Sequence, residues 1–150
     1  MVVSVAPPLP FSILLIRPGT LLGLRTLLRA VWAALVVVVV IGSLLPAASA
    51  PMQALAAFHI NDKVEHVLAY LSLAFLPALH ERRRRLLYFA VGLVALGVLL
   101  EFGQLWSPGR SFEIGDMVAD AAGVIAGASI GLWARPLALA RLALGERRPG

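Results

Sequence analysis

Four long apolar runs, parted by short charged loops, set the plan of this chain. They lie at Thr26 to Pro46, Val64 to Leu79, Leu86 to Trp106 and Met117 to Ala134. An α-helix crosses a bilayer in about 20 predominantly apolar residues. The pattern therefore predicts an all-α, polytopic membrane protein, with a four-transmembrane-helix bundle over residues 25–135. Residues 1–24 hold Pro7, Pro8, Pro10 and Pro18, and their best apolar run, Phe11 to Ile16, is too short to cross. They read as a poorly ordered cytoplasmic leader, and residues 136–150 as a basic cytoplasmic tail. The second span is unusual: only 16 residues separate Lys63 from His80, and its first two turns carry Glu65, His66 and Tyr70. So short a span either thins the membrane or sits low among its neighbours. The first span closes on Pro46-Ala47-Ala48-Ser49-Ala50, and its basic start, apolar run and small-residue end imitate a secretory signal peptide. Cleavage there would leave Pro51 as the first mature residue. Proline fixes φ and lacks an N–H, which makes a poor substrate geometry, and the apolar run is longer than a usual signal core. The span is expected to be retained.

Charge turns this pattern into a topology. Eleven of the 13 basic residues fall on the side shared by both termini: Arg17, Arg25, Arg29, Arg82 to Arg85, Arg135, Arg141, Arg147 and Arg148. Only Lys63 and Arg110 lie opposite, so the positive-inside rule places both termini in the cytoplasm. Acids sort the other way, with Asp62, Glu65, Glu101, Glu113, Asp116 and Asp120 at the outer end and only Glu81 and Glu146 inside. A chain that is 60% hydrophobic and 14% charged is no ordinary soluble domain, since those shares run near half and a quarter there. The net charge of +5 would suggest nucleic acid in a soluble protein. Here the excess is loop arginine that sets topology and meets anionic lipid headgroups, so the bilayer is the expected partner and nucleic acid is not. With no cysteine the chain has no disulfide, no thiolate nucleophile and no cysteine metal site.

The outer end carries the candidate chemistry. Asp62, His66 and Tyr70, spaced by four, form a stripe on the second span, and Glu101 and Gln104 share a face of the third. Asp116, Asp120 and Gly123 follow one face of the fourth, at the same depth, because the second and fourth spans start where the third ends. A charge held in the apolar layer costs about 2.5–3.5 kcal/mol on insertion scales, so it is normally turned inward, paired or used. Candidate ligand-binding residues are Lys63, His66, Tyr70, Glu101, Gln104, Arg110, Asp116 and Asp120, and candidate catalytic residues are His66, Glu101 and Asp62. Each has a plainer role. Asp62 followed by Glu65 reads equally as an N-cap with its capping-box partner, and Asp116 as a first-turn acid favoured by the helix dipole. Tyr70 and Trp106 suit interfacial anchors, and Gln104 suits packing between helices. Lys63 and Arg110 suit counter-ions, and Gly123, Gly127 and Gly131 form a small-residue packing stripe. The acids and His66 offer donors for a divalent metal, but no metal motif is present. No metal or other cofactor is expected. No phosphate loop or serine elbow is present either.

Taken in order, Asp62-Lys63 with His66, Tyr70 and Leu73, then Glu101 and Gln104, then Pro108-Gly109-Arg110, then Asp116 leading into Gly123 and Gly127, resembles the VanZ-like membrane protein family. The likeness covers about Asn61 to Gly131. It departs at Asp120, where the family usually has asparagine. The resemblance implies a bacterial cytoplasmic (inner) membrane protein, linked in its namesake to low-level teicoplanin resistance, and it supplies no reaction. The leading expectation is a non-enzymatic envelope protein whose outer polar pocket binds an anionic group and modulates access of a glycopeptide or a lipid-linked cell-wall precursor. A small membrane-embedded enzyme acting on a lipid-linked phosphate is the first alternative. An ion- or proton-coupled transporter is the second, and it requires a homo-oligomer, because four short spans enclose no pathway alone.

Overall fold

A computed structural model describes residues 18–145, with side chains from 22 to 137. Most of the expected leader, the end of the tail and the side chains of Arg17, Arg141, Arg147 and Arg148 lie outside the described residues. Five helices follow in order: α1 (Pro18–Leu44), α2 (Ala50–Ala56), α3 (Asp62–His80), α4 (Arg83–Gln104) and α5 (Ile114–Gly145). No strand occurs among the described residues. Two bounds differ from expectation. Helix α1 already runs from Pro18, the first described residue, inside the segment expected to be irregular. Helix α5 continues beyond Ala134 through Pro136 to Gly145. The short helix α2 was not anticipated; Pro51 stands in its first turn, where a missing N–H costs nothing.

Three helices are long and apolar enough to cross a membrane, over Leu22–Leu44, Arg83–Gln104 and Ile114–Leu137. Their outward faces expose Val38, Ile41, Leu87, Val91, Leu99 and Ile125, a surface suited to lipid. Helix α3 is the exception, because Lys63, Glu65 and His66 dilute its apolar character. It is also the element the others surround, with Tyr70, Leu73, Ala74, Pro77 and Ala78 buried.

The crossing of α3 and α5 is backbone against backbone. A Cβ at Gly123 would stand 2.5 Å from the Val67 carbonyl oxygen, one at Gly131 would meet Ala78 and Phe75, and one at Gly127 would strike the Leu71 carbonyl. The small-residue stripe thus does what its spacing implies. On the other side of α3, Pro77 cannot donate to the Leu73 carbonyl four residues earlier. The freed carbonyl accepts the Trp32 indole N–H of α1 at 2.9 Å. Trp32 also meets Phe89 of α4 edge-on, 5.0 Å between ring centroids.

The end of α3 is tied to every other long helix. Glu81, its C-cap, accepts from Arg29 of α1 at 2.6 Å and stands 3.5 Å from Arg85 of α4, while its own carbonyl accepts from Arg135 of α5 at 2.8 Å. Burial pushes the Glu81 carboxyl up, but the Arg29 hydrogen bond and charge, with His80 and Arg85, outweigh it and hold the carboxyl below its usual range.

Candidate functional site

At the opposite end of the bundle the chain gathers six of its eight acids. Helices α3 and α5 begin there, α1 and α4 end there, and the loop from Ser107 to Glu113 closes over them. That loop is anchored to the end of α1. The Ser107 hydroxyl donates to the Leu44 carbonyl at 3.0 Å, Arg110 donates to the carbonyls of Gly42 (3.2 Å) and Leu45 (3.4 Å), and the Ala47 N–H donates to Pro108 at 3.1 Å. A helix terminus leaves its last carbonyls unpaired, so a guanidinium there acts as a charged C-cap. Gly109, at φ +76°, supplies the left-handed residue that turns Arg110 toward α1.

The start of α3 corrects one sequence expectation. The N-cap is Asn61, whose side chain accepts the Lys63 N–H at 3.0 Å, and not Asp62. Asp62 is the next residue on and exposed, and its carboxylate has no hydrogen-bond or ion-pair partner among the described residues. Asparagine is among the strongest N-cap residues, so the cue was present one position earlier.

From this geometry a connected set of side chains forms. His66 Nδ1 lies 2.8 Å from Asp120 Oδ1, and its Nε2 faces Asp116 Oδ2 at 3.9 Å. Lys63 Nζ bridges Asp116 (3.2 Å) and Glu113 (2.9 Å). The Glu113 carboxyl is held below its usual range, first by the Lys63 hydrogen bond and then by the Lys63 charge and the Ser111 hydroxyl. Asp120 fits because α4 offers Gly97 opposite it; a Cβ there would collide with the carboxylate. Asp116 and Asp120 are buried, at 3% and 2% exposure.

The expected residues divide by position. Asp62, His66, Gln104, Arg110 and Asp116, with Ser111, line one cavity of about 190 Å³. An adjoining cavity of about 330 Å³ shares Asp62, His66, Gln104 and Arg110 and adds Glu65 and Tyr70. Lys63 and Asp120 stand behind the cavity, holding Asp116 and His66. Glu101 lines neither; one oxygen accepts the Glu113 N–H at 2.9 Å, which latches the loop to α4, and the other has no partner among the described residues. Tyr70 is buried, not an exposed anchor. Trp106 is exposed, as a belt residue would be. Sequence reasoning missed the Arg110 contacts to α1 and the Glu65 lining. The first join residues 65 and 68 positions apart and leave no local signal.

Comparison with known proteins adds one finding. The family model described as VanZ/LLP1 matches residues 30–135, which includes every side chain of this cluster. Neither the curated proteins nor the solved structures return a match.

Proposed function

Because the chain belongs to the VanZ/LLP1 family, we propose that it is a multi-pass protein of the bacterial cytoplasmic membrane whose polar cavity binds an anionic group at the outer face. Binding there would modulate access of a glycopeptide such as teicoplanin, or of a lipid-linked cell-wall precursor, to the membrane surface. In this reading α3 is the fourth span. Its 19 residues reach about 28 Å at 1.5 Å per residue, close to the hydrocarbon thickness, and its polar turns are shielded by its neighbours. Both termini then face the cytoplasm, with Arg29, Arg82 to Arg85 and Arg135 on the inner side.

Arg110 carries the anion reading. Lys63 is committed to Glu113 and Asp116, and His66 to Asp120. Arg110 lines both cavities, yet its guanidinium donates only to backbone carbonyls, and no carboxylate pairs with it among the described residues. A half-buried guanidinium with no carboxylate at ion-pair distance among the described residues, beside the amide of Gln104, suits a phosphate or carboxylate. The test is native mass spectrometry of the detergent-purified protein with a long-chain lipid monophosphate. Retention is expected in the wild type, with loss of about tenfold or more in affinity for Arg110→Ala. Equal binding by the two proteins would reject the reading. In cells, a teicoplanin susceptibility that does not differ between wild type and Arg110→Ala would reject the glycopeptide role.

One observation favours a second reading, a small membrane enzyme acting on a lipid-linked phosphate. His66 is oriented by a carboxylate on one nitrogen and presents the other to the cavity, the arrangement a general base requires. His66→Ala and His66→Gln would both abolish turnover in an enzyme, whereas a binding pocket would tolerate glutamine.

A further inference from the structure

The geometry points to a divalent-cation site of the zinc class formed by Asp62, His66 and Asp116, in the cavity they share with Gln104 and Arg110. One donor atom from each of the three lies within 4.8 Å of the others, and all three side chains line the same cavity. Zinc ligands at about 2.0–2.2 Å from the metal stand roughly 3.3–3.6 Å apart, so closure needs a shift of about 1 Å. Asp62 is exposed and unpartnered, so no contact among the described residues holds it against that movement.

Two features distinguish this cluster from a chance gathering of acids. First, the imidazole is braced as metal-bound histidines are: Nδ1 lies 2.8 Å from the Asp120 carboxylate, which fixes the ring, and Nε2 is turned to the Asp116 side. Second, Asp116 is itself held, with Lys63 on Oδ1 and Oδ2 turned toward His66.

The donor set chooses among metals. Calcium and magnesium are hard cations that take oxygen ligands, calcium six to eight of them and magnesium an octahedron completed by water, so an imidazole nitrogen is a poor ligand for either. Imidazole with carboxylate suits zinc, and three protein ligands leave a coordination position open to solvent or to an anion. No short-range metal motif marks the site because its donors come from two helices, with Asp116 50 residues after His66. The cation site stands independently of the anion reading, although an ion here would add positive charge beside Arg110.

Isothermal titration of Zn²⁺ into the detergent-purified, chelator-treated protein tests it, with the visible absorption of Co²⁺ as a spectroscopic check on the ligand set. One ion per chain is expected, weakened about 100-fold in His66→Ala, and about tenfold or more in Asp62→Asn and Asp120→Asn. Glu65→Gln, which removes a neighbouring acid outside the ligand set, should change affinity by less than about threefold. Asp62→Asn alters an exposed group and should keep the wild-type elution profile, so it decides the matter if the buried variants fail to fold. Absence of saturable binding, or equal affinity in wild type, Asp62→Asn and His66→Ala, would overturn the site. Zinc binding lost with Arg110-dependent phosphate binding intact rejects the cation site alone. The reverse pattern rejects the anion reading alone.

Discussion

Replacing Gly127 by alanine puts one methyl group against the backbone of α3, where no side chain can turn aside. The new Cβ would stand 2.9 Å from both the carbonyl carbon and the Cα of Leu71, and closer still to its oxygen. Carbon atoms rest at about 3.5 Å, so the helices must part by at least roughly 0.6 Å at this point. Overpacking costs about 1–3 kcal/mol, and against backbone that cannot turn aside the upper part of that range, about 2–3 kcal/mol, applies. Alanine's better helix propensity returns about 1 kcal/mol, which leaves a net loss of about 1–2 kcal/mol. For a chain of this size that is a fall of about 3–8 °C in Tm. Gly92 serves as the control, since a Cβ there meets nothing within 4 Å and Gly92→Ala gains propensity without a clash. Thermal unfolding in detergent, followed by tryptophan fluorescence, should therefore move in opposite directions for the two variants. The same separation is felt about two turns along α5, at the His66–Asp120 contact of 2.8 Å. A Gly127→Ala protein as stable as the wild type, or more so, would refute backbone contact as the element that sets this crossing.

Trp32→Phe leaves the Leu73 carbonyl unpaired beside Pro77 and should cost about 1–3 kcal/mol. In Pro77→Ala the helix recovers its own donor, so a double-mutant cycle should show the tryptophan's contribution shrinking, and simple additivity would exclude the pairing. Acid should weaken the Glu81 end of the bundle. Its carboxyl is depressed in the folded state, so the stabilisation is complete above the unfolded value of about 4.3 and is lost as pH falls through the folded value. Melting temperatures of Glu81→Gln should start lower, by about 1–2 kcal/mol of stability, and depend less on pH in that range; parallel pH profiles would contradict the assignment. For topology, a cysteine at Ser111 should react with an impermeant maleimide in intact cells and one at Arg84 only after permeabilisation. Labelling of both from the same side would reject the α4 crossing, and the opposite pattern would reverse the proposed orientation.

Much of this architecture was legible along the chain. The apolar runs locate the three long apolar helices, and the four-residue glycine rhythm anticipates a close helix crossing. Both are local periodicities, governed by how a helix presents its faces. The division of acids from arginines is also a local record, written in the loops. Caps were less legible: Asn61 and Asp62 are both good caps, and only the backbone path shows which one is used, leaving the other free. The pairing of partners was not legible at all. Nothing in the sequence tells that Glu81 collects Arg29 and Arg135, that Trp32 serves the carbonyl freed by Pro77, or that Arg110 reaches back to the end of α1. Glu101 shows the difference within one residue. Its cost in an apolar helix was evident from position, but its employment as a latch on the Glu113 N–H depends on where a loop folds.

The sequence by itself determined which long segments are helices, which surfaces suit lipid and at which end most of the acids collect. Those properties follow from the apolar content of each turn and from the penalty on charge in hydrocarbon. Only the tertiary structure decided which groups meet. The register between α3 and α5 is set where glycines let two backbones touch. That contact, between residues more than 50 positions apart, brings His66 to Asp120, sets its other nitrogen facing Asp116 and places both beside Arg110.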